Sequence, residues 1–141
     1  MTRIVALVSL ATLLAFAIAL VGCSSSVDRQ SPVRIREPLP PGTVLRGMAS
    51  WYGPGFAGRQ TANGETFDPR AFTAAHQHLP FHTWVRVTNV RTRASIDVRI
   101  NDHFPGTRGR VIDLSQGAFE RIAPLQQGVV EVEVEVLAGA P

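Results

Sequence analysis

Two aspartates stand where strand-like patterning breaks off. Asp102 follows the alternation of Ile96, Val98 and Ile100 with Asp97 and Arg99 and opens the stretch Asp102-His103-Phe104-Pro105, while Asp113 comes directly after Val111-Ile112 at a helix start. Strand ends are where clefts place acids. A carboxyl held at such a rim, partly desolvated and near a second carboxylate, has its pKa raised and can stay protonated near neutral pH as a general acid. The competing structural roles are a helix cap for Asp113 and a turn residue for Asp102. Glu65 and His76 could orient or buffer such an acid, or be polar surface. Trp51, Tyr52 and Phe56 beside Gly53, Gly55 and Gly58 suit a sugar platform, since pyranose faces stack on aromatic rings; packing residues are the alternative account.

Other chemistries find less support. The glycines of 53–58 match G-x-G-x-x-G literally, but a dinucleotide loop must open a helix with free amides, and Pro54 has none while turn-rich chain follows. His76, His78, His82 and His103 have no second pair at a ligand spacing, so no metal site and no cofactor are expected. There is no Gly-x-Ser-x-Gly elbow for a nucleophilic hydrolase. The basic side chains are all arginine, 14 against 11 acids, a formal +3 too weak and scattered for a nucleic-acid footprint. One cysteine excludes an intramolecular disulfide and a thiolate zinc cage.

The elements that must position the aspartates are mostly strands. Val85 and Val87 alternate with Trp84, Arg86 and Thr88, and Val130, Val132, Val134 and Val136 alternate with Glu131, Glu133 and Glu135. Such strands have one dry and one wet face, as a small closed barrel requires. One helix fits between Ser115 and about Ile122, with Ser115 or Asp113 accepting from its first amides and Pro124 beyond its end. Asn63-Gly64 is a turn signal. Patterning alone therefore supports a mainly β barrel of about six short strands with one or two short helices.

Ahead of this domain, Arg3 and the apolar run 4–21 end in Leu20-Val21-Gly22-Cys23, which resembles a bacterial lipobox. That resemblance implies a signal peptide over 1–22, cleavage before Cys23 and lipid on its thiol and new amino group; several acyl chains satisfy the two-signal requirement of stable membrane attachment. Ser24 in place of Asp implies the outer membrane, facing the periplasm. Residues 23–45 read as the acylated cysteine and a Ser/Arg/Pro tether able to reach roughly 70 Å. The folded domain is expected over 46–137, with a tail at 138–141.

The segments Ala49-Ser50-Trp51-Tyr52-Gly53, 61–68 (TANGETFD), Thr73-Ala74-Ala75-His76, Leu79-Pro80-Phe81, 85–89 (VRVTN), Asn101-Asp102 and 109–115 (GRVIDLS), in that order, resemble the RlpA-type septal lipoproteins. The resemblance implies a six-stranded double-psi β-barrel, the fold of expansins, and a lytic transglycosylase cutting peptidoglycan, preferably strands stripped of stem peptides. It places function on Asp102 as acid/base, with Glu65 and His76 in support and Asp113 as an auxiliary acid or cap. Trp51, Tyr52, Phe56, Asn63, Asn101 and Arg110 become the substrate contacts. Two positions depart from the family pattern: His103-Phe104 replaces the usual Arg-Gly after Asn-Asp, and His82 replaces the usual glycine after Leu-Pro-Phe. No SPOR domain follows Leu137, which removes that route to the septum. A noncatalytic glycan-binding or wall-loosening module and a scaffold for cell-division proteins are the alternatives.

Overall fold

The computed structural model describes residues 38–107 and 109–141; the expected signal peptide, Cys23 and most of the tether lie outside them. Six strands, β1 (Val44–Tyr52), β2 (Thr73–His76), β3 (Trp84–Asn89), β4 (Ser95–Asp102), β5 (Arg110–Ser115) and β6 (Val129–Val136), close into a barrel in the order β1-β5-β2-β4-β3-β6. The pairs β1/β5 and β2/β4 are parallel and the other four antiparallel. This is the mainly β double-psi barrel, with helix among the described residues confined to α1 (Gln116–Glu120) and two 3-10 turns, Pro54–Phe56 and Leu125–Gln127.

Alternation fills the interior. Val85, Val87, Val98, Ile100, Ile112, Leu114, Val132 and Val134 are fully buried, with Phe119 of α1 closing one side. Burying each such side chain contributes about 1.5–3 kcal/mol. Ion pairs tie the outside of the barrel: Arg86 of β3 with Asp97 of β4 at 2.8 Å, and Arg93 of the β3–β4 turn with Glu133 of β6 at 3.2 Å. Ser115 rather than Asp113 caps α1: its hydroxyl accepts from Ala118 N and donates to the Ala71 carbonyl at 2.5 Å. Asp113 cannot cap because it lies two residues earlier in the pleat of β5, facing away from the core.

The barrel takes in more of the chain than the tether reading allowed. Leu39 packs on the core, Gly42 N donates to Val136 O at 2.8 Å, and β1 starts at Val44, ahead of the expected start at 46. Ser/Pro-rich composition concealed this edge because its order comes from pairing with β6. The 53–58 glycine segment is a 3-10 turn with exposed residues, as Pro54 requires, and carries no helix.

His82, at the position where the family pattern has glycine, adopts φ +68°. A side chain in this left-handed region carries a steric penalty of about 1–2 kcal/mol that glycine lacks. His82→Gly is therefore expected to stabilise the fold by about 0.5–1 kcal/mol, the gain being offset in part by glycine's larger unfolded-state entropy, and urea denaturation will measure it.

Candidate active site

The site is made by two breaks in the barrel's period of two. In β4, Ile100 faces the core, so strict alternation would turn Asp102 inward as well. Instead, Ala74 and Ala75 of β2 pair with Ile100 and Asp102, leaving Asn101 as an extra residue. The bulge puts Asp102 on the outer face. In β5 the same happens once more: Met48 and Ala49 of β1 pair with Arg110 and Ile112, so Val111 is the extra residue and Arg110 joins Asp113 on the outer face.

Ala75 is directly opposite Asp102 on one side and Asp113 on the other. Residues in register share a sheet face, and two strand spacings place the two aspartate backbones about 10 Å apart. Only a methyl group lies between them. The floor so formed belongs to a groove of about 470 Å³, lined also by Tyr52, Phe56, Arg59, Thr61, Phe67, His103, Phe104 and Arg110.

Asp102 is half-buried and anchored through one oxygen. Its Oδ1 accepts from Ala62 N at 2.9 Å and His103 N at 2.8 Å, and Oδ2 takes part in neither bond. Asp113 Oδ1 accepts from the Ser50 hydroxyl and lies 3.4 Å from Arg110 Nε. Tyr52 has its hydroxyl buried without a hydrogen bond among the described residues. Burial, then the Asp102 carboxylate and more weakly that of Asp113, push this phenol far above its ordinary range, while Thr73 opposes them from outside hydrogen-bond geometry. Tyr52 thus remains a proton donor facing both acids. Its ring packs on Phe67 at 4.5 Å and meets Phe56 edge-on at 6.2 Å.

The other expected residues build the walls. Glu65 makes a two-pronged ion pair with Arg99, at 2.7 and 2.8 Å, and also accepts from Asn63 Nδ2 and Asn101 Nδ2. The Arg99 hydrogen bonds first, then that from Asn101, hold its carboxyl down at about 2. A carboxylate so held is no proton donor; it clamps the loop carrying Thr61 and Ala62 onto β4 beside Asp102. His76 is buried, off the groove. Its Nδ1 accepts from the amides of His78 and Leu79, both at 3.0 Å, and its carbonyl accepts from His103 Nδ1 at 2.8 Å.

Of the six expected substrate contacts, Tyr52, Phe56 and Arg110 line the groove and three do not. Trp51 is the neighbour of Tyr52 in β1 and so faces the opposite side, where it packs near Phe119 and donates its indole N–H to Leu125 O at 3.3 Å. Asn63 and Asn101 turn their amides to Glu65. Sequence reasoning passed over Arg59, Ser50, Ala75 and the Arg99 partner of Glu65. The small pair Ala74-Ala75 within a strand was the one signal that the floor needed space. Among the described residues no cluster of three or more His, Cys, Asp or Glu could hold a metal ion.

The barrel strands fall within a family match: the model described as lytic transglycolase matches residues 44–134, and the chain belongs to that family. It is 57% identical over 94 residues to the "Probable endolytic peptidoglycan transglycosylase RlpA" of a Synechocystis strain, covering 67% of this chain and 29% of that protein. The "Endolytic peptidoglycan transglycosylase RlpA" of Campylobacter jejuni is 46% identical over 96 residues, covering 68% and 35%. The chain thus spans about a third of the length of these curated relatives. Among solved structures, a Streptomyces papain inhibitor superposes with a TM-score of 0.59 at 25% identity, covering 70% of this chain and 98% of that one.

The Glu65 clamp has a pH signature. Its folded pKa of about 2 lies below the ordinary 4.5, so its stabilisation is full above about pH 4.5 and is lost as pH falls toward 2. For a partly exposed pair the loss should be roughly 1 kcal/mol after solvent screening. Glu65→Gln is expected to remove that component of the acid limb in denaturation curves taken from pH 5 to pH 2, and to loosen the 60s loop.

Proposed function

We propose that the barrel cleaves the glycan strands of peptidoglycan, preferably peptide-free strands, as a lytic transglycosylase. The single observation that carries this is the placement of Asp102 and Asp113 on either side of Ala75 on the floor of an aromatic-walled groove. The family membership and the names of the relatives support the same reading.

Asp102 is the acid/base. Its protonated Oδ2 gives a proton to the glycosidic oxygen following N-acetylmuramic acid, and the bond from C1 to that oxygen breaks with the electron pair leaving on oxygen. The sugar's own 6-hydroxyl then attacks C1 and returns its proton to Asp102, giving a 1,6-anhydro end and restoring the enzyme. No water is consumed, so no second carboxylate need activate one, in contrast to hydrolysis. Asp113, fixed by Ser50 and Arg110, is the auxiliary carboxyl facing the positive charge that develops at C1. Tyr52 lines the groove with its ring while its hydroxyl stays buried, and Glu65 keeps the loop amide of Ala62 on Asp102.

The lipobox-like Leu20-Val21-Gly22-Cys23 followed by Ser24 supports placement of this domain in the periplasm on a lipid anchor in the outer membrane. Radiolabelled palmitate should be incorporated into the full chain and not into Cys23→Ala.

Protein beginning at Ser24 retains every described residue and is the reagent for the activity test. Intact and peptide-stripped sacculi are digested and the products read by mass spectrometry. Anhydro-ended glycan fragments, with or without stem peptide according to the substrate, are expected from the wild type, with a rate at least about 100-fold lower for Asp102→Asn. Retention on sacculi with no such products would instead assign a noncatalytic glycan-binding module.

A further inference from the structure

The groove carries two cations that take no part in the proton transfers of the cleavage reaction. Arg59 is exposed at its rim, with the guanidinium 5.3 Å from the centre of the Phe56 ring, and pairs with no carboxylate among the described residues. Arg110 lies deeper, its guanidinium 5.6 Å from the centre of the Phe104 ring. Arg110 donates through Nη2 to Thr107 at 3.0 Å, whereas its buried Nε is 3.4 Å from Asp113 without hydrogen-bond geometry. Both guanidiniums are seated on aromatic faces, an arrangement that holds a long side chain in place without consuming its charge. Phe104, one of the two departures from the family pattern, supplies one of those seats.

Positive charge here needs a reason, because the transition state of glycosidic cleavage is itself oxocarbenium-like and is opposed by nearby cations. Asp113 partly answers Arg110; nothing described answers Arg59. A bound ligand can bring the counter-charge that Arg59 lacks among the described residues. A murein strand whose stem peptides have been removed carries one free carboxylate on the lactyl ether of each N-acetylmuramic acid, and in a peptide-bearing strand that same carbonyl is a neutral amide. We propose that Arg59, with Arg110 as the inner donor, forms a subsite for the free lactyl carboxylate, so that the groove distinguishes stripped from substituted strands by charge. This rests on the glycan-cleaving reading above and supplies its strand preference with a physical cause. Arginine suits the task because its planar fork matches a carboxylate with two parallel hydrogen bonds.

The test compares two ligands that differ only in that charge: end-labelled, peptide-free murein strands, and the same strands after carbodiimide coupling to methylamine. Fluorescence anisotropy with the full chain in detergent, carrying Asp102→Asn to prevent turnover, gives a Kd for each. The carboxylate strands should bind about fivefold more tightly at low salt, the preference shrinking at high salt. Arg59→Gln should bring the ratio close to one, while Arg91→Gln, an exposed arginine away from the groove, should leave it intact and so exclude a mere net-charge effect. Equal binding of the two ligands by the parent protein overturns the carboxylate subsite and leaves glycan binding standing. A preference that survives Arg59→Gln overturns the assignment of the carboxylate subsite to Arg59. Binding of neither ligand overturns both this inference and the glycan-cleaving reading.

Discussion

The whole site depends on how a β-strand handles a one-residue insertion. A pleated strand alternates its side chains between two faces, and in a closed barrel the inner face is sealed with apolar groups. A carboxylate continuing the run of Val98 and Ile100 would therefore be driven inside, at a desolvation cost of several kcal/mol. The bulge at Asn101 reverses the phase of the pleat at that point, so Asp102 emerges outside while Ile100 stays fully buried. The equivalent shift at Val111 brings Arg110 out beside Asp113. Both irregularities fall in the two parallel pairs, and both parallel pairs border the groove.

Once the acids are outside, the remaining problem is to keep them in place without filling the space between them. The chain does so with a small floor and a polar clamp. Ala75 is the least bulky side chain that can sit between two aspartates in register while still carrying strand geometry. The clamp is local: Glu65 gathers Arg99, Asn101 and Asn63, and thereby holds the loop whose Ala62 amide binds Asp102. Glu65 and His76 share this kind of service. Neither lines the groove, yet one positions the loop in front of Asp102 and the other shapes the turn after β2 and holds the ring of His103, which follows Asp102 in the chain.

The same arrangement explains why the aromatic residues divide as they do. Trp51 and Tyr52 are adjacent in β1, so one must face α1 and the other the groove. The indole goes to the side where Phe119 and the Leu125 carbonyl can receive both its ring and its N–H, and the phenol goes to the side where burial first, and then the two carboxylates, keep it protonated. A tryptophan and a tyrosine that look like one platform in the sequence are thus parts of two different structures. Phe56 and Phe104 serve a further purpose, as seats for Arg59 and Arg110.

What could be read directly from the sequence was whatever depends on short-range pattern. The valine alternation of β3 and β6, a helix cap at Ser115 or Asp113, the turn at Gly64 and the barrel class all follow from residue types a few positions apart, because period and backbone preference are local properties. Position at strand ends also marked Asp102 and Asp113 as the residues to watch, and the family motifs marked Glu65, His76 and Asp102. Which way those side chains point was not determined at that level: the bulges arise from register between strands far apart in the chain, and simple alternation predicts the wrong face for Asp102. The same long-range pairing drew residues 42–45 into the barrel, separated Trp51 from Tyr52 and joined Glu65 to Arg99. Tertiary structure alone decided these, since register is set by packing across the closed barrel and leaves no trace in any single strand.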